Sequence, residues 1–168
     1  MAGLFYHDAL AALSGAGLPF VVVGGVAVNL QGVPRFTADL DVAVALDGAV
    51  VGRAARALSV LGLRPRLPVT QDELSSSAVI QSWVEDRNLT AITFVDPAEP
   101  LREVDLVVAS PVPFEELLRT ADTVTAGGVA FPVASIDALI RMKSGTGRAQ
   151  DASDVEALQR VRGGTRGP

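Results

Sequence analysis

Along this chain, short apolar runs rich in β-branched residues alternate with longer stretches of helical periodicity, and glycines or polar turns punctuate the two. Residues 4–13 carry a helical pattern that Gly15 and Gly17 stop. Residues 19–23 read as a buried strand, followed by Gly24-Gly25 and a short helix over 26–30. Residues 39–44 predict a second strand, alternating at its start and then apolar, and 48–61 an Ala-rich helix with Arg53 and Arg56 on one side. Residues 62–71 read as a proline-containing connection. Residues 78–84 and 89–95 read as strands joined by a turn through 85–88, and a further strand spans 101–108. A short helix is expected over 114–118, then a hairpin whose arms, 123–125 and 129–133, flank Ala126-Gly127-Gly128. Two helices close the pattern, one over 135–142 with Ser135 as N-cap and one over 151–158, and a frayed tail is expected from Gly163. Strands and helices do not repeat as strict βαβ units. The expectation is therefore an α+β or mixed α/β fold, a central mixed sheet flanked by helices, in one domain over residues 1–162 with a flexible tail over 163–168.

One part of this pattern carries chemistry. Val21-Val22-Val23-Gly24-Gly25 is followed, after thirteen intervening residues, by Asp39-Leu40-Asp41. Glycine tolerates positive φ and lets a ligand approach the backbone, and N–H groups unpaired at a helix start can receive an anion. On a strand, Asp39 and Asp41 project to the same face, roughly 6–7 Å apart at Cα. Two carboxylates so placed repel each other unless a cation lies between them, and a hard divalent ion such as Mg²⁺ or Mn²⁺ takes carboxylate and phosphate oxygens together. A glycine pair alone is commonly a turn, and an Asp-x-Asp alone is commonly solvated. The two in this order on apolar strands point to a metal–phosphate site.

The pattern Gly24-Gly25, Arg35, Thr37, Asp39-x-Asp41 resembles the nucleotidyltransferase-fold superfamily, and the string from Val33 to Asp41 is most similar to the bacterial branch that includes AbiEii-type toxins. The resemblance implies an NTP substrate, a divalent metal on Asp39 and Asp41, and a third acid on a later strand. Asp105 and Glu103 share a strand face and either could be that acid; Asp105 is preferred because it abuts the apolar Leu106-Val107-Val108 run. Many relatives carry serine where this chain has Gly25, so only the backbone is expected to hold phosphate there. Arg35 could orient the Asp39 carboxylate, contact phosphate or simply lie at the surface, and Asn29 and Gln31 could cap the short helix or line the site.

A second constellation comprises Lys143, Arg148, Asp151 and Asp154. The chain has thirteen arginines and a single lysine, Lys143, which singles that ammonium out. The resemblance extends over residues 137–158 and implies that Lys143 contacts nucleotide phosphate, with Arg148, Asp151 and Asp154 alongside. Gln150 stands where relatives carry lysine, and Arg148 could replace it. The plainer reading of Asp151 and Asp154 is helix N-terminal chemistry, with Asp151 as a cap.

Composition narrows the alternatives. An apolar content of 49% in 168 residues excludes disorder and supports a sizeable core. The absence of cysteine removes disulfides and thiolate-ligated zinc, and the only histidine, His7, argues against His-based triads. Trp83 is expected to pack in the core. A net charge of −5 argues against a surface that coats nucleic acid broadly. No signal-peptide pattern or membrane-length apolar run is present, so a cytoplasmic location with no membrane partner is expected. Three functional classes follow: a toxin-type nucleotidyltransferase acting on tRNA or protein with an antitoxin partner, a small-molecule nucleotidyltransferase of aminoglycoside or lincosamide type, and a nucleotide-binding or antitoxin-like module without turnover. A homodimer could supply the acceptor side that so short a chain lacks.

Overall fold

The computed structural model describes residues 2–164, with side chains from residue 6 onward; residues 165–168 of the expected tail lie outside the described residues. Helix α1 (Ala2–Gly15) leads through Gly17, which has φ +67°, into β1 (Val21–Val23), whose three valines are all buried. Helix α2 (Gly24–Leu30) starts at the glycines, as expected, and includes both of them. Strand β2 (Asp39–Ala43) buries Leu40 and Val42 on one face and leaves Asp39 and Asp41 half-buried on the other. Helix α3 (Gly48–Val60) is capped by the Asp47 carboxylate, which accepts from the Ala49 N–H at 2.8 Å.

The expected connection over 62–71 contains a two-residue strand, β3 (Arg64–Pro65), before the short helix α4 (Gln71–Leu74), which Thr70 and Glu73 close with a capping box. The expected strand over 78–84 is instead helix α5 (Ser77–Arg87). Ser76 caps its start and Asn88, in the left-handed region at φ 53°, ends it. Val79-Ile80 and Trp83-Val84 recur at a spacing of four, which aligns Ile80 and Trp83 on one buried helical face. That period, and the serine cap before it, outweigh the β-propensity of the individual residues. Trp83 packs into the core as expected.

Strands β4 (Ala91–Val95) and β5 (Glu103–Val107) follow, then α6 (Phe114–Thr120) and the hairpin of β6 (Asp122–Ala126) and β7 (Val129–Val133). Gly127 and Gly128 both have positive φ, +56° and +79°, as a tight primed turn requires. Helix α7 (Ile136–Lys143) has Ser135 as its N-cap, accepting from Ala138 N–H. Helix α8 (Ala149–Arg162) starts two residues earlier than expected, so Arg148 occupies the cap position and Asp151 lies inside the first turn; the expectation of Asp151 as the cap is corrected.

The seven strands form one mixed sheet in the order β3-β4-β5-β2-β1-β7-β6, flanked by helices, which is the expected fold class. Strands β2 and β5 are parallel neighbours in which Asp39 pairs with Glu103 and Asp41 with Asp105. Strand β1 runs antiparallel on the other side of β2, with Val23 opposite Asp41. Helix α2 packs on β1, β2 and α7, and α7 packs on α8. The sheet thus brings residues sixty-four apart in sequence side by side, and the α2–α7–α8 contacts place the C-terminal constellation over the same strands. No helix among the described residues is long and apolar enough to cross a membrane.

Candidate active site

From Val33 to Asp41 the chain is extended and alternates: odd positions turn inward, while Pro34, Phe36 and Ala38 are exposed. Arg35, Thr37, Asp39 and Asp41 therefore form one row, and all four line a cleft of about 360 Å³. Its other walls are the Gly24-Gly25 turn, Asp105 on β5, and Lys143, Arg148, Gln150 and Asp151 from α7, α8 and their loop. Of the residues singled out in the sequence, Asp154, Glu103, Asn29, Gln31 and His7 do not line the cleft; Asp154 is only 2% exposed.

The acids sit at the floor. Carboxylate oxygens of Asp39, Glu103 and Asp105 all lie within 4.8 Å of one another, so both candidates for the third acid reach Asp39. Their partners separate them: Glu103 is ion-paired with Arg66, whereas Asp105 Oδ1 accepts a 2.5 Å hydrogen bond from the Thr93 hydroxyl of β4 and its carboxylate lines the cleft. Asp41 is adjacent to Asp105, and its pKa is pushed up to about 7, first by burial, then by the charges of Asp105 and Asp39, against the opposing pull of Lys143. Asp39 is raised as well, by burial and by Asp105, with Arg66 opposing. Two carboxyl groups, Asp39 and Asp41, are raised by burial and by neighbouring acid charge, as in a donor set that a cation could relieve. Hard oxygen ligands of this kind fit Mg²⁺ or Mn²⁺.

Gly24 is dictated by this floor. Its φ is +66°, and a Cβ there would lie 2.0 Å from Asp41 Oδ2. At Gly25 a Cβ would lie 2.6 Å from Thr37 Oγ1 and 3.3 Å from Arg35 Cζ. The row on β2 thus requires both glycines, and Val23 contributes no side-chain cap to α2.

Across the cleft, Lys143 at the end of α7 is 11% exposed and its Nζ lies 3.0 Å from both Asp151 Oδ1 and Asp154 Oδ2. Asp151 and Asp154 are three apart on α8 and so share a face. Asp154 Oδ2 also accepts from Arg35 at 2.5 Å, and Oδ1 from Gln150 at 2.9 Å. Arg35 therefore pairs with Asp154; the expectation that it orients Asp39 is corrected, because α8 offers it a buried carboxylate. Burial works against the charge on Asp151, but hydrogen bonds from Thr146 and Lys143 and the charges of Lys143 and Arg148 together hold its pKa below the ordinary value. Arg148 reaches Asp151 through Nε at 2.9 Å and is otherwise largely exposed. A second cleft of about 450 Å³ adjoins across Lys143 and Arg148, walled by the Gly145–Gly147 loop and by Ala149, Ala152 and Val155; it holds no acid.

Other side chains completing the site carry no sequence motif. Thr93 fixes Asp105 and Arg66 occupies Glu103, but which strands neighbour β5 is decided by topology. Tyr6, the only tyrosine, donates to the Thr37 carbonyl at 3.2 Å, and its pKa is raised by burial and by Asp39 and Asp41; its being unique was the only available signal. Asn29 accepts from the Arg35 N–H at 2.8 Å and so pins the start of the row, while Gln31 binds Asp122 and the Ala134 carbonyl, away from the acids. His7 Nε2 lies 3.1 Å from the Gly127 carbonyl oxygen of the β6–β7 turn, to which it donates, and takes no part in the cleft.

In this cleft a sheet-borne acid cluster faces a glycine turn and a clamped lysine, groups that could hold a divalent cation beside an anion. The fold is shared with solved structures of low sequence identity. The solution structure of the antibiotic-resistance factor ANT(2'')-Ia superposes with a TM-score of 0.56 at 17% identity, covering 98% of this chain and 94% of that one. ANT(2'')-Ia in complex with adenylyl-2''-tobramycin gives 0.54 at 16%, covering 96% and 94%. JHP933 from Helicobacter pylori gives 0.54 at 15%, covering 98% of this chain and 67% of that one. No protein-family model matches the sequence, and no curated protein matches it.

Proposed function

We propose that this protein transfers a nucleoside monophosphate from an NTP to an acceptor hydroxyl: the acceptor oxygen bonds to the α-phosphorus as the α–β phosphoanhydride bond breaks and pyrophosphate leaves. The observation that carries the reading is the cleft itself: Asp39, Asp41 and Asp105 face Gly24-Gly25 and Lys143 across one cavity. Asp39, Asp41 and Asp105 would hold Mg²⁺ or Mn²⁺. When bound, the metal supplies neutralisation of phosphate charge and Lewis-acid activation of an in-line displacement.

The protein's own groups divide the remaining work. Backbone N–H groups at Gly24 and Gly25 donate to phosphate oxygens. Arg35, Lys143 and Arg148 supply positive charge along the phosphate chain, with Arg35 and Lys143 fixed by Asp154 and Asp151 rather than free to wander. Asp105, fixed by the Thr93 hydroxyl on Oδ1, either completes the metal site or helps to take the proton of the acceptor hydroxyl. Asp154, buried and triply hydrogen-bonded, acts as a positioning residue and does not touch the nucleotide.

The acceptor we favour is tRNA or protein, as in a toxin-type enzyme with an antitoxin partner. The row Arg35-x-Thr37-x-Asp39-x-Asp41, which resembles that branch, supports it. A small-molecule acceptor is the second reading, favoured by the likeness of fold to ANT(2'')-Ia, whose complex contains an adenylylated aminoglycoside. The purified protein, incubated with each labelled NTP and Mg²⁺, is offered total tRNA, a protein extract and an aminoglycoside panel. Label transfer that Asp41→Asn abolishes supports the reading, and the labelled fraction names the acceptor. Nucleotide binding with no incorporation into any fraction leaves the binding-module alternative. Failure to bind any NTP overturns the reading.

A further inference from the structure

We propose that the Thr37 hydroxyl is a direct ligand of the non-transferred phosphates of the nucleotide, standing where a side chain of residue 25 would otherwise stand. The inference rests on the nucleotidyl-transfer reading above and assigns one contact within it.

Three observations carry it. First, the hydroxyl fills the space beside the glycine turn: an ideal Cβ on Gly25 would lie 2.6 Å from Thr37 Oγ1 and 2.9 Å from Thr37 Cβ. Residues 25 and 37 compete for one position on the cleft wall, and Thr37 holds it. Second, the alternating row places Thr37 between Arg35 and Asp39. The order along the wall is cation, hydroxyl, acid, acid, with roughly 6–7 Å between successive Cα atoms of the row. A polyphosphate whose reacting phosphorus lies at the acids must run its remaining phosphates past Thr37 to reach the guanidinium of Arg35. Third, the hydroxyl is not committed elsewhere: its one intramolecular acceptor is the Asp39 carbonyl at 3.3 Å, a long bond for an O–H donor. A phosphate oxygen is the stronger acceptor, because a hydrogen bond to a charged group is roughly twice as strong as one between neutral groups.

Calorimetric titration with inorganic tripolyphosphate in the presence of Mg²⁺ tests this independently of the base and of turnover. Thr37→Val keeps the shape and removes the hydroxyl; it is expected to bind tripolyphosphate about tenfold or more weakly, with Mg²⁺ affinity measured alone unchanged. Thr37→Ser recovers most of the loss, which excludes a defect of folding. Gly25→Ser in the wild-type background also loses affinity, because its side chain collides with Thr37. The double variant Gly25→Ser/Thr37→Ala moves the hydroxyl to the other wall and regains affinity relative to either single change. Wild-type affinity in Thr37→Val, or no recovery in Thr37→Ser and the double variant, overturns the inference while the transfer reading stands. If the wild-type protein binds neither tripolyphosphate nor any NTP, the transfer reading fails and takes this inference with it.

Discussion

Asp41→Asn is expected to abolish function and at the same time stabilise the metal-free protein above neutral pH. Asp41 has its pKa pushed from 3.8 to about 7 in the folded state, by burial first and then by Asp105 and Asp39. The folded protein therefore holds the Asp41 proton more tightly than the unfolded chain does. Stability from this group is fully present below about pH 4, falls as pH rises, and is lost by about pH 7, because over that window the unfolded chain releases the proton first. At 1.36 kcal/mol per pH unit the difference amounts to about 4 kcal/mol. Water entering the open cleft relieves part of it, so about 2–4 kcal/mol is expected at pH 8. For a chain of this size that corresponds to a Tm increase of about 4–16 °C for the asparagine variant in EDTA. At pH 4 the wild-type carboxyl is itself neutral, and the two melting temperatures should converge. Added Mg²⁺ should reverse the order at pH 8: it raises the wild-type Tm, by about 2.7 kcal/mol of stability at a hundredfold excess over Kd, and leaves the variant unmoved. Differential scanning fluorimetry from pH 4.5 to 8.5, with EDTA or Mg²⁺, measures all of this. A variant whose Tm follows the wild type in parallel across the whole pH range would refute the electrostatic account of the acid cluster.

Three further outcomes follow from the geometry. Asp154→Asn leaves Lys143 and Arg35 short of a buried anion; a loss of about 3–5 kcal/mol is expected in urea denaturation, with a raised KM for NTP that the conservative Gln150→Ala change does not match. Gly24→Ala forces a Cβ to within 2.0 Å of Asp41 Oδ2 in a left-handed conformation, so the Mg²⁺-dependent rise in Tm should disappear; an unchanged metal response would show that Asp41 is not held where the cluster needs it. Gly48→Ala is the control away from the cleft: its Cβ would meet the Ser75 carbonyl oxygen at 2.3 Å, costing about 1–3 kcal/mol by overpacking while the metal response of the folded protein persists.

How legible the site was depends on the range of the interactions that build it. Gly24-Gly25 and Asp39-x-Asp41 could be read directly because strand alternation and the glycine turn are local rules. Helix α5 is hard to read locally because a run of Ala, Val, Ile and Trp suits either period when only composition is weighed, and the decisive cap at Ser76 is a single serine in a row of three. Which acid Arg35 meets is not legible locally, because its partner, Asp154, lies 119 residues away. Asp105 and Glu103 share one strand face, and sequence favours Asp105 only by the apolar run it abuts; the neighbours that topology gives them, Thr93 on β4 and Arg66 beyond β3, are what set them apart.

The sequence by itself therefore determined the mixed sheet, the glycine turn and the pair of acids that share a face, since each follows from periodicity, φ preference or side-chain direction within a few residues. The tertiary structure alone decided which acids meet, which carboxylate clamps the lone lysine, and why residue 25 has no side chain: Thr37 already fills that space. Those outcomes depend on strand order and helix packing. Charge repulsion and excluded volume act between groups brought together in space, and no local rule of the chain fixes which groups those are.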